Sequence, residues 1–256
     1  MFGTDWQAWH ENWDRQQEWY VPDREVRFQI LLDQVEQAVG PQPRVLDLAC
    51  GLGSLTDRLL RRFPGARCTG VDLDPVLLTI ARGRFMEDSR AAFVSADLRD
   101  EAWLSKLPAH DYDAVLTATS MHWLSTDELR VLYQQLTRLV RRGGVFLNSD
   151  HMPSSGTPRL NILQESHHEK RRAQLRSAGV LDWPGWWQMV AKDETLGEFA
   201  EERFRMLGDP SAPGGDHSDE ELPTPAWHVA ELRSAGFLEA ASLWASFTDA
   251  VVVAMR

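Results

Sequence analysis

Asp47 and Asp72 each lie at the end of a short apolar run, and Gly51 and Gly53 lie between them. The first run, Val45-Leu46-Asp47-Leu48-Ala49-Cys50, breaks at those glycines and gives way to an amphipathic stretch over 54–63. A buried parallel strand, a tight turn and a helix N-terminus account for that order. Glycines in such a turn let the backbone approach a ligand and adopt angles that other residues resist. Roughly 20 residues on, the second run, 68–73, places Asp72 where a strand-end carboxylate can accept from ribose hydroxyls. The chemistry implied is recognition of a nucleoside-containing cofactor.

Two departures from the dinucleotide pattern separate the cofactors. Thr56 stands where Gly-x-Gly-x-x-Gly would carry its third glycine, and Asp47 precedes the first. A pyrophosphate would meet that carboxylate with like-charge repulsion, whereas a ligand bearing an ammonium and a sulfonium would not. At this point the chain resembles the class I S-adenosylmethionine-dependent methyltransferases; its overall layout, with His122-Trp123 after the fourth strand and Trp183, Trp186 and Trp187 in the segment after the fifth, resembles within them the trans-aconitate methyltransferase-like small-molecule group. Leu46-Asp47-Leu48-Ala49-Cys50-Gly51-Leu52-Gly53 is similar to their first motif, with Ala49 where a glycine is commoner. Gly70-Val71-Asp72-Leu73-Asp74-Pro75 resembles the second-strand acidic motif, and Ser95-Ala96-Asp97-Leu98 the loop that meets adenine. Asp113-Ala114-Val115-Leu116 with Met121-His122-Trp123-Leu124 resembles the fourth strand and its turn. Leu139-Val140-Arg141-Arg142-Gly143-Gly144-Val145-Phe146 resembles the helix end, glycine turn and fifth strand.

The resemblance implies S-adenosylmethionine as cofactor and assigns residues to it. Gly51 and Gly53 let the turn approach the methionine portion, Asp47 helps receive its ammonium, and Asp72 takes the ribose hydroxyls. Leu73 packs on adenine, Asp97 with the Leu98 amide holds the adenine edge, and Thr119 joins the set at the end of the fourth strand. Arg27 is a candidate donor to the cofactor carboxylate. Asp74 reads as the cap of the helix that begins at Pro75. An NAD(P)-dependent oxidoreductase and a non-catalytic cofactor-binding domain of the same fold are the alternatives.

Methyl transfer from a sulfonium requires alignment of nucleophile, methyl carbon and sulfur more than reactive side chains. A hydroxyl acceptor would also need a base. His122 follows the fourth strand and His151 the fifth, and both are candidates for that role. His228 begins a helix near the C-terminus. Trp6, Trp9 and Trp13 share one helical face, while Trp183, Trp186 and Trp187 lie in the segment after the fifth strand. These rings either pack the segments together or wall a chamber over the strand ends. Trp186, Trp187 and His228 are the candidates to face an acceptor. Cys50 and Cys68 make no metal-ligand spacing and read as buried free thiols, and no metal site is expected.

The elements that must position these residues follow the α/β alternation. Strands are expected at 44–49, 67–73, 92–95, 113–119 and 144–149, with helices near 54–64, 75–87 and 126–141. The helix over 225–235 and strands over 237–244 and 247–254 complete a Rossmann-like, seven-stranded, mostly parallel sheet with helices on both faces. Residues 1–40 form an N-terminal helical cap with a break at Pro22-Asp23, and 151–222 a helical lid insertion with a loop at 208–216. All 256 residues are read as one domain.

Composition narrows the partners. The formal net charge of -11 leaves no surplus of lysine and arginine for tracking phosphates, which weighs against nucleic acid. No apolar run approaches the roughly 18 residues that cross a bilayer, and the N-terminus lacks the pattern of a secretory signal. A cytoplasmic protein acting on a small, partly apolar molecule is expected, with O-methylation favoured.

Overall fold

The structure, a computed structural model, describes residues 4–154, 156–210, 222–246 and 248–256. Its sheet is built from Arg44–Leu48 (β1), Arg67–Asp72 (β2), Ala91–Ser95 (β3), Tyr112–Ala118 (β4), Val140–His151 (β5), Glu239–Ala245 (β6) and Asp249–Met255 (β7). The strand order is β3-β2-β1-β4-β5-β7-β6, with β1 to β5 parallel and β7 antiparallel to both β5 and β6. β1 is buried on both faces along 45–48, which is why its apolar run barely alternates. Order reverses between β2 and β4 on either side of β1, so a crevice opens over their carboxyl ends.

The helices follow local signals. Ser54–Arg62 (α3) begins at Gly53, and Pro75–Arg84 (α4) is capped by Asp74, whose side chain accepts from Val76 and Leu77. Thr126–Leu139 (α5) opens on a capping box between Ser125 and Glu128, and Pro225–Ala235 (α9) stops at Gly236 with φ 114°. Trp6–Gln17 (α1) and Arg24–Val39 (α2) make the N-terminal cap, and the break between them falls at Asp23. The insertion carries Pro158–Ser177 (α6), Trp183–Val190 (α7) and Gly197–Leu207 (α8).

α2 and α3 cover one face of the sheet, and α5 and α9 the other. A third apolar layer joins α1, α7 and α8 to α4 through Trp13, Val76, Ile80, Trp186, Trp187 and Val190. Among the described residues no helix is long and apolar enough to cross a membrane.

Two boundaries move. The helix expected over 126–141 stops at Leu139, and Val140 already pairs with Tyr112 on β4. Gly143 and Gly144 therefore bend a strand: Gly143 takes φ 74°, and a Cβ on Gly144 would lie 2.7 Å from the Asp113 carbonyl. The last strand begins at Asp249; Phe247, its expected start, lies outside the described residues, as do 211–216 of the insertion loop.

Candidate active site

The turn after β1 is held from two sides. Cys50 N–H donates to the Val71 carbonyl (3.0 Å) and Gly53 N–H to that of Cys50 (2.9 Å). Left-handed backbone occurs at Ala49 (φ 51°), Gly51 (φ 56°) and Gly53 (φ 85°). Ala49 thus adopts the conformation for which a glycine is commoner. Asp72, at the end of β2, accepts from Gly51 N–H (2.7 Å) and Asp74 N–H (2.8 Å). Burial pushes its carboxyl up, and those amides oppose the shift.

Asp47 faces α3, because odd-numbered positions of β1 point to that side of the sheet. It is 2% exposed and accepts from Thr56 Oγ1 at 2.7 Å. Burial pushes its pKa up to about 7, and the Asp72 charge adds to the rise while Thr56 opposes it. Sequence reading saw Thr56 only as a missing glycine; it is the partner that fixes Asp47. Asp74 is likewise pushed up to about 6 by burial and by Asp72. The Asp72 charge thus raises the buried carboxyls of both Asp47 and Asp74, a surrounding that suits a cationic ligand and opposes a diphosphate.

Asp97 is engaged by a residue that sequence reading passed over. Arg99 donates to it from its backbone N–H (2.9 Å), Nε (2.9 Å) and Nη2 (2.7 Å), and holds the carboxyl below the usual range. An acidic residue followed two positions later by an arginine was the available signal. Leu73 and Leu98 are half-buried, and Leu98 packs on the core. Thr119 takes φ 54° at the end of β4, with its N–H on the Ser149 carbonyl at 2.8 Å.

The two histidines behind β4 and β5 come together, with ring centroids 5.0 Å apart. Each has its own carboxylate. His122 Nδ1 lies 2.6 Å from Asp150 Oδ1, and its backbone N–H donates to the other oxygen at 3.1 Å. Burial would raise the Asp150 pKa, but His122 and His151 outweigh it and bring it down to about 2. His151 Nδ1 lies 2.7 Å from Asp249 Oδ1, its register partner across the β5–β7 pair. Burial opposes protonation of His151, yet Asp249 and Asp150 prevail and raise its pKa. Neither aspartate was assigned from sequence, since only the pairing of strands brings them to the histidines.

Four of the residues named from sequence lie inside the packing. Arg27 is 1% exposed and its Nη2 lies 3.0 Å from Asp249, so its charge is committed there, on β7, which β4 and β5 separate from β1. Trp186 and Trp187 are 0% exposed, with centroids 4.9 Å apart, in the layer between α4 and the insertion; they are packing rings in this conformation. His228 is 3% exposed and its Nδ1 lies 2.6 Å from Tyr133 Oη, inside the α5–α9 layer. Both cysteines are free and buried.

Residues 45–144 match a family model described as a methyltransferase domain. The core of this chain has the fold of the class I S-adenosylmethionine-dependent methyltransferases. The trans-aconitate 2-methyltransferase of Paracidovorax citrulli (strain AAC00-1) is 31% identical over 164 residues, 64% of this chain and 52% of that one. The malonyl-[acyl-carrier protein] O-methyltransferase of Paenibacillus sp. (strain JDR-2) is 24% identical over 165 residues, 63% of this chain and 58% of that one. The chain thus spans little more than half the length of these curated relatives. A crystal structure of an O-methyltransferase family protein from Burkholderia thailandensis superposes with a TM-score of 0.55 at 17% identity, over 98% of this chain and 70% of that one, which shows the fold.

The residues of this core fit S-adenosylmethionine. A Cβ added at Gly51 would meet only Leu77 Cδ1, at 3.7 Å, so protein packing alone does not require a glycine there. That bare backbone, whose N–H is held by the Asp72 carboxylate at 2.7 Å, suits a nucleoside carrying an ammonium and a sulfonium.

Proposed function

We propose that this chain is an S-adenosylmethionine-dependent methyltransferase that methylates an oxygen of a small, partly apolar acceptor. The His122–Asp150 pair carries the oxygen part of this reading. When bound, the cofactor supplies a methyl group on a positively charged sulfur, already activated for displacement. The chain's own work is to hold the reactants in line, exclude water and accept one proton.

Asp72 is the residue for the ribose hydroxyls, and Leu73 for the adenine face. Asp97, shared with Arg99, and the Leu98 amide serve the adenine edge. Asp47, Gly51 and Gly53 shape the turn beside the methionine portion, and Thr119 completes the cofactor set at the end of β4. Asp150 is ionised at neutral pH and lies on His122 Nδ1, which fixes the tautomer whose Nε2 carries the lone pair. Nε2 then takes the hydroxyl proton as the oxygen–methyl bond forms, and Asp150 steadies the resulting imidazolium. His151 stands beside it as a hydrogen-bonding partner for the acceptor. The acidic balance of the chain supports a small acceptor over nucleic acid.

The test is incubation with labelled S-adenosylmethionine and a panel of phenols, alcohols and carboxylic acids, read by mass spectrometry. A hydroxyl acceptor should gain one methyl group. On it, Asp150→Asn and His122→Ala should lower kcat by roughly 100-fold or more while cofactor affinity holds. Full activity in both variants would remove the base. Thermal stabilisation by NAD or NADP alone would overturn the cofactor.

A further inference from the structure

Arg203 lies on α8 of the insertion and is 7% exposed. Its Nε donates to Asp74 Oδ2 at 3.2 Å and its Nη1 to the Gly208 carbonyl at 2.7 Å. The guanidinium rests over the Trp187 ring, 4.2 Å from its centroid. Asp74, 5% exposed, uses its other oxygen to accept from Val76 and Leu77 at the start of α4. Its own N–H donates to Asp72, whose remaining oxygen accepts from Gly51. A single chain of contacts therefore runs from the insertion, through Arg203, Asp74 and Asp72, to the turn after β1.

A cap alone does not call for this arrangement. Asp74 would cap α4 through Oδ1 with no arginine present. Leaving it ionised and buried beside Asp72 is costly, however, and Arg203 is the cation that offsets the repulsion. Arg203 in turn is buried on an aromatic face and needs the carboxylate. Each group thus offsets part of the other's burial, so a docked insertion steadies the Asp74 carboxylate beyond what its cap provides.

We propose that Arg203 is a positioning residue for the cofactor: by closing α8 onto Asp74 it fixes the carboxylate that braces Asp72, and so sets how firmly the nucleoside is retained. The proposal rests on the reading of Asp72 as the ribose carboxylate. Loss of Arg203 leaves Asp74 Oδ2 without its cation, slackens the Asp74 amide on Asp72 and lets α8 lift, so the ligand leaves faster.

Calorimetry and stopped-flow fluorescence with S-adenosylmethionine and S-adenosylhomocysteine on the full chain test this. Arg203→Met should raise Kd for both ligands about 10-fold, mostly through faster dissociation, with Arg203→Lys near threefold. Asp74→Asn keeps the cap and removes the charge, and the Asp74→Asn/Arg203→Met double variant should bind no more weakly than Arg203→Met alone. Independent, multiplying losses would overturn the coupling, as would a folded Arg203→Met protein with unchanged Kd and dissociation rate. Should Arg203→Met fail to fold, Asp74→Asn and Arg203→Lys decide by the same shifts. Asp72→Ala is the control. Unchanged affinity there defeats the ribose reading itself, whereas weakening there with Arg203 variants unaffected defeats only the role of Arg203.

Discussion

Charge placement at single residues decides how this protein responds to acid. Burial brings the His228 pKa down from 6.5 to about 4, against the pull of Asp150. Above pH 6.5 His228 is neutral whether the chain is folded or not. As pH falls towards 4, only the unfolded chain takes the proton, so stability declines by about 3 kcal/mol over that window and then levels. His151 works in the opposite sense. Its raised folded pKa gives stability that is complete below 6.5 and lost as pH rises through the folded value. Asp150, at about 2, contributes above the ordinary carboxylate range and loses that contribution as pH falls from 3.8 through 2. His228→Leu separates these terms. It should cost about 1–3 kcal/mol at pH 7, because Tyr133 loses its hydrogen-bond partner, and should flatten the decline between pH 6.5 and 4. Urea unfolding at several pH values checks this; an unchanged acid limb would assign the titration to another group.

Among the elements, the β1–α3 turn shows two glycines present for different reasons. Gly53 is hemmed in: its φ is 85°, and an added Cβ would lie 2.9 Å from Phe85 and 3.3 Å from Phe93. Gly51 has a φ of 56°, but an added Cβ would make only an ordinary contact with Leu77, at 3.7 Å. Gly53→Ala should therefore destabilise the fold by about 2–3 kcal/mol, combining backbone strain with overpacking. Gly51→Ala should cost only about 1–2 kcal/mol yet weaken S-adenosylmethionine binding by roughly 10-fold or more, since its methyl group would occupy the face offered to the ligand. Denaturation and calorimetry on the two variants distinguish the cases. A Gly51→Ala protein that binds like the parent would mean that no ligand approaches there. The motif was legible because it is local: strand, turn and helix are contiguous, and their periods and glycines can be read in order. The bend in β5 was not, since Gly143-Gly144 follows a helical run and only pairing with β4 makes it part of a strand.

Across the whole molecule, the cap and the insertion meet on α4. Trp6 lies against Gly83, where a Cβ would stand 2.3 Å from its ring. Gly83→Val should push α1 away from α4, and amide hydrogen exchange should quicken across α1, α7 and α8 while β1 and β4 keep their protection. Uniform loss of protection would show instead that cap and sheet unfold as one unit. Trp186 and Trp187 complete this layer, and truncating either to alanine should cost on the order of 3–5 kcal/mol. The tryptophan spacing announced an apolar face but not what it would meet. His228 reads alike as a wall of a chamber or a core residue until α9 is laid against Tyr133. Arg27 and Arg203, far apart in sequence, become legible only when Asp249 and Asp74 are brought to them. The amino-acid order alone determined the strand–turn–helix core, its caps and the acidic, glycine-rich cradle, because each depends on neighbours within a few residues. Tertiary structure alone decided which histidine meets which carboxylate, which rings are enclosed, and how the insertion is tied to the cofactor turn, because those contacts join residues whose distance is set by the sheet.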